Sequence, residues 1–264
     1  MLRGSIEHSG SNINYTVSGR NHAPALVLLH PLGASSAVFD AELEYFERFF
    51  RVIRCDMPGH GGSSVPSQAP RVRTIADLAG DVCAVLDAQG VPRAHWCGVS
   101  IGGMIALHVA AHAPQRVFRL VPANTAAYMG PPESWDERIA KVHADGMQGI
   151  VAGVAARWFT PEFVVRQPEL VERIVELVRG TDPRGYLEAC AAIRDMDLRS
   201  SLAAVQAPTL LLAGARDVST PPERAEEIRA SIVGADLAVL DAGHLACVEL
   251  AKEFAVTVTE FLRE

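Results

Sequence analysis

Positive charge is scarce in this chain, its cysteines fall into no paired spacing, and long apolar runs are missing. Each absence removes a class of function. The 24 Lys and Arg are outnumbered by 31 Asp and Glu, leaving a net charge of −7 with histidine neutral. No Lys- or Arg-rich run interrupts that balance, so neither nucleic acid nor an anionic membrane is expected as a partner. No apolar run approaches the roughly 18 to 20 residues of a membrane-spanning helix. The opening Met1-Leu2-Arg3-Gly4-Ser5-Ile6-Glu7 lacks the apolar stretch of a signal peptide. Cys55, Cys83, Cys97, Cys190 and Cys247 are odd in number and scattered. They read as reduced, mostly buried thiols of a cytoplasmic protein, and a zinc site is not expected. Repeats and low-complexity tracts are also missing. What is present is ordinary for a globular protein: 264 residues, 49% hydrophobic and 21% charged. That is enough to bury a large core, in one large domain or two.

Asn12 to Gly19 alternates as a strand does. Ala25-Leu26-Val27-Leu28-Leu29 is apolar throughout, as expected of a strand buried on both faces of a parallel sheet. Ser36 to Phe50 is expected as a helix, with Phe39, Leu43, Phe46 and Phe50 on one face. Arg51 to Cys55 reads as a strand running into the turn-rich loop Asp56 to Ser64. Thr74-Ile75-Ala76-Asp77 is a capping box that opens a helix, and Gly90 stops it. An apolar strand then reaches Gly98, a helix follows, and Arg116 to Val121 is another strand. Strands alternating with helices imply right-handed crossovers and a parallel sheet.

From Ala126 to Val205 no strand is expected. Helical periods cover Trp135–Asp145, Met147–Phe159, Pro168–Arg179 and Pro183–Met196, separated by Gly146, Thr160-Pro161 and Gly180-Thr181-Asp182-Pro183. Strands resume at Pro208 to Ala213 and Leu237 to Leu240, with a helix from Glu223 to Ile232 between them and a last helix to about Leu262. The fold class is therefore α/β: a mostly parallel central sheet flanked by helices, with a helical cap, or lid, as an insertion. Residues 1–125 and 206–264 form the core domain, and 126–205 the helical cap inserted between core strands. Such a cap lies over the sheet's carboxyl edge, where ligands bind in open α/β sheets.

The chemistry gathers at three strand ends. Gly98-Val99-Ser100-Ile101-Gly102 is a G-x-S-x-G pentapeptide between a strand and a helix, the context of a nucleophile elbow. Gly98, Gly102 and Gly103 lack the bulk that would block a sharp strand-to-helix turn, and a helix N-terminus favours negative charge beside Ser100. Asp217 stands just past the Pro208–Ala213 strand, and His244 just past Leu237–Leu240. The chain order Ser100, Asp217, His244 is that of the α/β-hydrolase triad. A serine hydroxyl needs a base, an imidazole with a pKa near ~6.5 can take and return its proton, and a buried carboxylate orients the imidazole. Asp241 and Asp195 are weaker candidates for the acid, and His60 reads as a loop histidine hydrogen-bonded to backbone. The oxyanion hole would use the amides of Ile101 and Leu32, since Pro31 has no N–H. Plainer roles stay open: Ser100 and Asp217 as helix caps, His244 as a helix-starting loop residue.

Several stretches carry a family likeness. They are Asp56-Met57-Pro58-Gly59-His60-Gly61-Gly62-Ser63-Ser64, Gly98 to Met104 and Pro208 to Gly214 for the general fold. Within the cap they are Asn124-Thr125-Ala126-Ala127, Trp135 with Arg138-Ile139, Gly146-Met147, Arg157-Trp158-Phe159-Thr160 and Cys190 to Leu198. The chain resembles the 3-oxoadipate enol-lactonase family of α/β-hydrolases from about residue 25 onward. It departs at His30-Pro31-Leu32-Gly33, where the family typically reads Asn-Ser-Leu-Gly, and at Asp241-Ala242-Gly243-His244.

The resemblance implies a cytoplasmic serine esterase acting on the enol-lactone of 3-oxoadipate, in the β-ketoadipate pathway of aromatic-acid catabolism. It implies no metal and no organic cofactor. A carboxylated substrate wants a cation, and arginine matches a carboxylate in a bidentate fork. Arg138 is the candidate, with Trp135 and Trp158 as apolar walls; the alternative makes Arg138 a solvated helix residue and the tryptophans cap core. Other readings on the same scaffold are another lactonase, a carboxylesterase, a perhydrolase or a C–C bond hydrolase. A binding module that hardly turns over is the reading from a different class. The oligomeric state is left open.

Overall fold

The computed structural model describes residues 1–65 and 72–264. β1 (Leu2–His8) and β2 (Ser11–Gly19) form an antiparallel hairpin, and β2 continues antiparallel onto β4 (Arg51–Cys55). β3 (Ala25–Leu29), β4, β5 (Ala94–Val99), β6 (Val117–Ala123), β7 (Leu210–Gly214) and β8 (Asp236–Leu240) run parallel. The spatial order is β1-β2-β4-β3-β5-β6-β7-β8. β3 and β5 are buried at every residue, as the unbroken apolar run of β3 and the mostly apolar β5 lead one to expect. β1 was not foreseen; it is an edge strand whose side chains are mostly exposed, so little alternation marks it.

The order reverses at β3. The chain leaves β3 for β4 on one side, then crosses back to β5 on the other. Loops after β3 and β5 therefore diverge at the carboxyl edge and open a crevice between them, the switch point where open α/β sheets bind ligands.

Three helical expectations need correction. Ser36 to Phe50 is not one helix but a 3-10 turn at Ser36–Phe39 followed by α1 (Leu43–Glu47), although Phe39, Leu43, Phe46 and Phe50 are all buried. The Ser36 carbonyl accepts from the Arg54 guanidinium at 2.8 Å, while Asp40 N–H turns to Ala37, so the i→i+4 ladder does not start there. The last helix breaks at Leu250 (φ −128°) into α10 (Ala246–Glu249) and α11 (Ala251–Arg263), numbered with the helices below. Between β6 and β7 there is also one helix more than expected. Thr160-Pro161 reads as a turn but starts a helix: Thr160 Oγ1 accepts from Phe163 N–H, and proline suits the first helical position.

The other helices are α2 (Ile75–Ala88), opened by the Thr74–Asp77 capping box, α3 (Ile101–His112), α4 (Glu133–Asp145), α5 (Gln148–Trp158), α6 (Pro161–Arg166), α7 (Pro168–Arg179), α8 (Pro183–Arg194) and α9 (Pro222–Ser231). α4 to α8 form one block between β6 and β7. An antiparallel bridge between Tyr128 and Asp197 closes its base, with Leu198 N–H on the Ala127 carbonyl at 2.8 Å. Buried Arg73 bolts α8 to the rest, reaching Glu188 (3.0 Å), Asp81 (2.6 Å) and Ser11 (2.5 Å). All five cysteines are free, and four of them are buried. Among the described residues no helix is long and apolar enough to cross a membrane.

Candidate active site

Ser100 sits on the turn from β5 into α3 with φ 57° and ψ −119°, a backbone state that costs a non-glycine residue about 1–3 kcal/mol. The surroundings hold it there. Its N–H donates to the Ala123 carbonyl at 3.0 Å, and its carbonyl accepts from Met104 N–H and from Thr125 Oγ1 at 2.7 Å. The turn is possible because strand and helix nearly touch. A Cβ on Gly98 would run into the Gly102 carbonyl, and one on Gly102 into the Leu29 carbonyl.

The Leu32 and Ile101 amides have no hydrogen-bond acceptor among the described residues. Ile101 opens α3, where an N–H has no partner within the helix. Leu32 N–H belongs to the peptide unit whose other end is the Pro31 carbonyl, and His30 orients that unit. Met57 N–H donates to His30 Nε2 at 3.0 Å, which leaves Nδ1 to carry the proton and donate to the Pro31 carbonyl at 2.9 Å. Burial keeps the His30 pKa below its ordinary value, consistent with this neutral tautomer. Because a trans peptide is planar, fixing the carbonyl fixes the opposite N–H.

His244, on the loop after β8, places Nδ1 at 2.8 Å from Asp217 Oδ2, and both side chains are buried. Asp217 Oδ2 also accepts from Asn124 Nδ2 (3.0 Å) and Thr220 Oγ1 (2.8 Å), and Oδ1 accepts from the Ser219 and Thr220 amides (2.8 and 2.9 Å). Burial would raise the Asp217 pKa, but the His244 charge and these donors outweigh it and hold the carboxyl at about 2. The rival acids are occupied elsewhere: Asp241 pairs with Arg216 at 3.0 Å, and Asp195 with Arg194 at 2.7 Å. His60 is buried beside His30 with Nδ1 on the Pro58 carbonyl at 2.9 Å, the backbone role expected of it. Burial, then the His30 charge, push its pKa down to about 3.

A small inner chamber of about 50 Å³ is lined by Ser100, His244, Leu32, Trp135, Arg138 and Trp158, together with Met104 and Arg157. Six of the eight residues expected at the site thus face one space; Asp217 stands behind His244, and Ile101 follows Ser100 in the turn. Arg138 and Trp135, one helical turn apart on α4, do share a face. The Arg138 guanidinium lies over the Trp135 and Tyr186 rings at 5.5 and 5.6 Å, and its Nε donates to the Tyr186 hydroxyl at 2.7 Å. The inner chamber continues into an outer one of about 510 Å³ that shares Trp135, Arg138, Arg157 and Trp158.

The wall is hung on the histidine loop. Leu245 N–H donates to the Trp158 carbonyl at 3.0 Å, and the buried Glu249 carboxylate accepts from Gly243 N–H (3.1 Å), Thr160 N–H (2.8 Å) and Thr160 Oγ1 (2.7 Å). Sequence reasoning missed the roles of Asn124, Arg157, Tyr186, Thr220 and Glu249. Only Asn124 and Arg157 stood in stretches carrying the family likeness; for the rest no local pattern marks a residue that acts across the fold.

With this geometry in place, comparison with known proteins settles the class. A family model described as the alpha/beta hydrolase fold matches residues 24–167. The chain belongs to the α/β-hydrolase fold family and is a hydrolase of that superfamily. Among its relatives, 3-oxoadipate enol-lactonase 2 of Acinetobacter baylyi is 35% identical over 92% of this chain and 90% of its own length. A hydrolase from Pseudomonas aeruginosa PA01 is 42% identical, with a TM-score of 0.94 over 98% of each chain. An enol-lactonase from Burkholderia xenovorans LB400 is 34% identical, with a TM-score of 0.95 over 99% of this chain and 100% of that one.

Proposed function

We propose that this chain is a serine hydrolase that opens a small carboxylated lactone, 3-oxoadipate enol-lactone being the substrate its relatives favour. One observation carries the reading: Ser100 and His244 share a chamber with Arg138 and Arg157, neither of which has a carboxylate partner among the described residues. In a chain with a net charge of −7, two such guanidinium groups facing a serine and a histidine are suited to a substrate that brings its own carboxylate. Tyr186, the one side chain among the described residues hydrogen-bonded to Arg138, is a phenol whose pKa burial pushes further up, so it does not neutralise the arginine.

In this reading the substrate carboxylate pairs with Arg138, and Trp135 and Trp158 wall the ring. His244 takes the Ser100 proton as Oγ attacks the lactone carbonyl. The Leu32 and Ile101 amides receive the oxyanion, each donor worth about 3 kcal/mol in comparable sites. The ring C–O bond breaks, and His244 protonates the departing enolate oxygen. Water, deprotonated by His244, then releases the acid from Ser100. Asp217 holds the imidazole with its proton on Nδ1 throughout. Residues 126–205 act as a cap over the carboxyl edge of a core formed by 1–125 and 206–264.

The test uses purified protein, one carboxylated enol-lactone and one neutral aryl ester. Ser100→Ala should lower turnover of both by about 10⁴ or more while the protein stays folded. Arg138→Ala should cost about 2 to 5 kcal/mol in kcat/KM for the charged lactone and far less for the neutral ester. Equal effects of Arg138→Ala on the two substrates would overturn the carboxylate assignment.

A further inference from the structure

We propose that the outer chamber is a second anion subsite, formed by Arg157 and Arg224 with Lys141, which takes the far carboxylate of a dicarboxylate. The inference rests on the reading of Arg138 as the clamp for the first carboxylate. Arg138, Lys141, Arg157 and Arg224 line this space, and Glu137 is the one acidic side chain among its lining residues. That is a local excess of positive charge on a chain whose overall charge is negative. Arg224 has an exposed partner in Glu227 at 3.2 Å; Arg157 and Lys141 pair with no carboxylate among the described residues.

Arg157 is the pivot, because it lines both the inner and the outer chamber. Burial, then the Arg138 charge, lower its pKa. Two guanidinium groups lining one chamber repel, and an anion between or beside them relieves that repulsion. Ser219 connects Arg157 to the loop that leads into α9, which carries Arg224, its Oγ lying 3.5 Å from the Arg157 carbonyl. The volumes agree with a ligand that spans both spaces: about 50 Å³ surrounds the serine and about 510 Å³ lies outside it.

The proposed reaction supplies such a ligand. Water adds its oxygen to the acyl carbon, the ring C–O bond breaks, and the ring oxygen takes a proton. A lactone with one carboxylate becomes an open chain with two. The new carboxylate forms at Ser100; once free, the product stays on Arg138 and swings that carboxylate out to Arg157 and Arg224, so it leaves slowly and inhibits turnover.

The experiment measures inhibition of neutral aryl-ester hydrolysis at low salt by adipate and by its monoamide, which match in length and differ by one charge. Adipate should inhibit competitively and about tenfold more tightly, the value of one added charge-assisted contact. Arg157→Ala and Arg224→Ala should each cut that ratio towards one, and Arg157→Lys should retain most of it. Should an arginine variant fail to fold, Lys141→Glu tests the same charge from an exposed position, and it should lower the ratio too. A ratio near one in the wild-type protein, or a ratio that none of these changes moves, overturns the outer subsite. Arg138→Ala that leaves monoamide inhibition unmoved overturns the Arg138 reading instead, whatever the ratio.

Discussion

Replacing Asp217 by Asn changes one oxygen to an NH₂ group, and the surroundings decide which oxygen. Oδ1 faces the Ser219 and Thr220 amides, which are fixed backbone donors. An NH₂ placed there would leave both without an acceptor, at about 1–3 kcal/mol each. Oδ2 faces partners that can adapt. The Thr220 hydroxyl can rotate, His244 can change tautomer, and Asn124 can flip, its Oδ1 having no partner among the described residues. The NH₂ therefore goes to the Oδ2 side and donates to His244 Nδ1. That places the imidazole proton on Nε2, where no lone pair remains to accept from Ser100. The wrong tautomer costs about 10⁴ in turnover in another serine hydrolase, or about 5.5 kcal/mol in the barrier. Steady-state kcat on an aryl ester reads it directly. A loss below tenfold, or a larger loss from Asp241→Asn, would refute the reasoning.

The same variant predicts an acid-stability difference. The Asp217 carboxyl is held at about 2 in the folded protein, below the ~3.9 of an unfolded aspartate. Its stabilisation is therefore present above pH ~4 and is lost as pH falls through about 2. The linkage is worth about 2–3 kcal/mol, and the gap between wild-type and variant melting curves should narrow over that window.

Two further predictions concern the scaffold. Gly98→Ala should lower stability by about 3 kcal/mol or more, because the new methyl meets the α3 backbone and not a side chain that can move; Gly153→Ala, with open space around its Cβ, should raise stability by about 0.5–1 kcal/mol. Denaturant midpoints that rank the two the other way would contradict the close crossing of strand and helix. Glu42 is fully buried with no hydrogen-bond partner for either carboxyl oxygen among the described residues, and burial raises its pKa well above the ordinary value. A raised folded pKa carries stability that is full below the unfolded value near ~4.3 and is lost as pH rises. Glu42→Gln should therefore be more stable than wild type at pH 7, with the difference shrinking towards pH 4; a pH-independent difference would show that Glu42 does not titrate this way.

Local pattern determined a good deal. The unbroken apolar run at Ala25–Leu29 and the mostly apolar Ala94–Gly98 read as buried strands, and β3 and β5 are buried at every residue. The Thr74–Asp77 box forms as written because all its partners lie within one helical turn. Gly98-Val99-Ser100-Ile101-Gly102 announced the strained turn because the clash it avoids is between residues a few positions apart. Asp217 and His244 were legible as strand-end residues in a known chain order.

The tertiary structure decided what depends on partners far away in the chain. Arg54 takes the Ser36 carbonyl and stops a helix that the period allows. Asn124 meets Asp217 across 93 positions, and Glu249 meets Thr160 across 89. Arg157, given no role by the sequence, lines the same chamber as Ser100 because α5, in the block of helices between β6 and β7, is brought beside the turn from β5 into α3. Periodicity reports which face of an element avoids water, and a motif reports contacts within a turn or two. Neither reports which distant element will cover that face, so Arg138 was legible as a candidate cation while Arg157 beside Ser100 became visible only when the chain was folded.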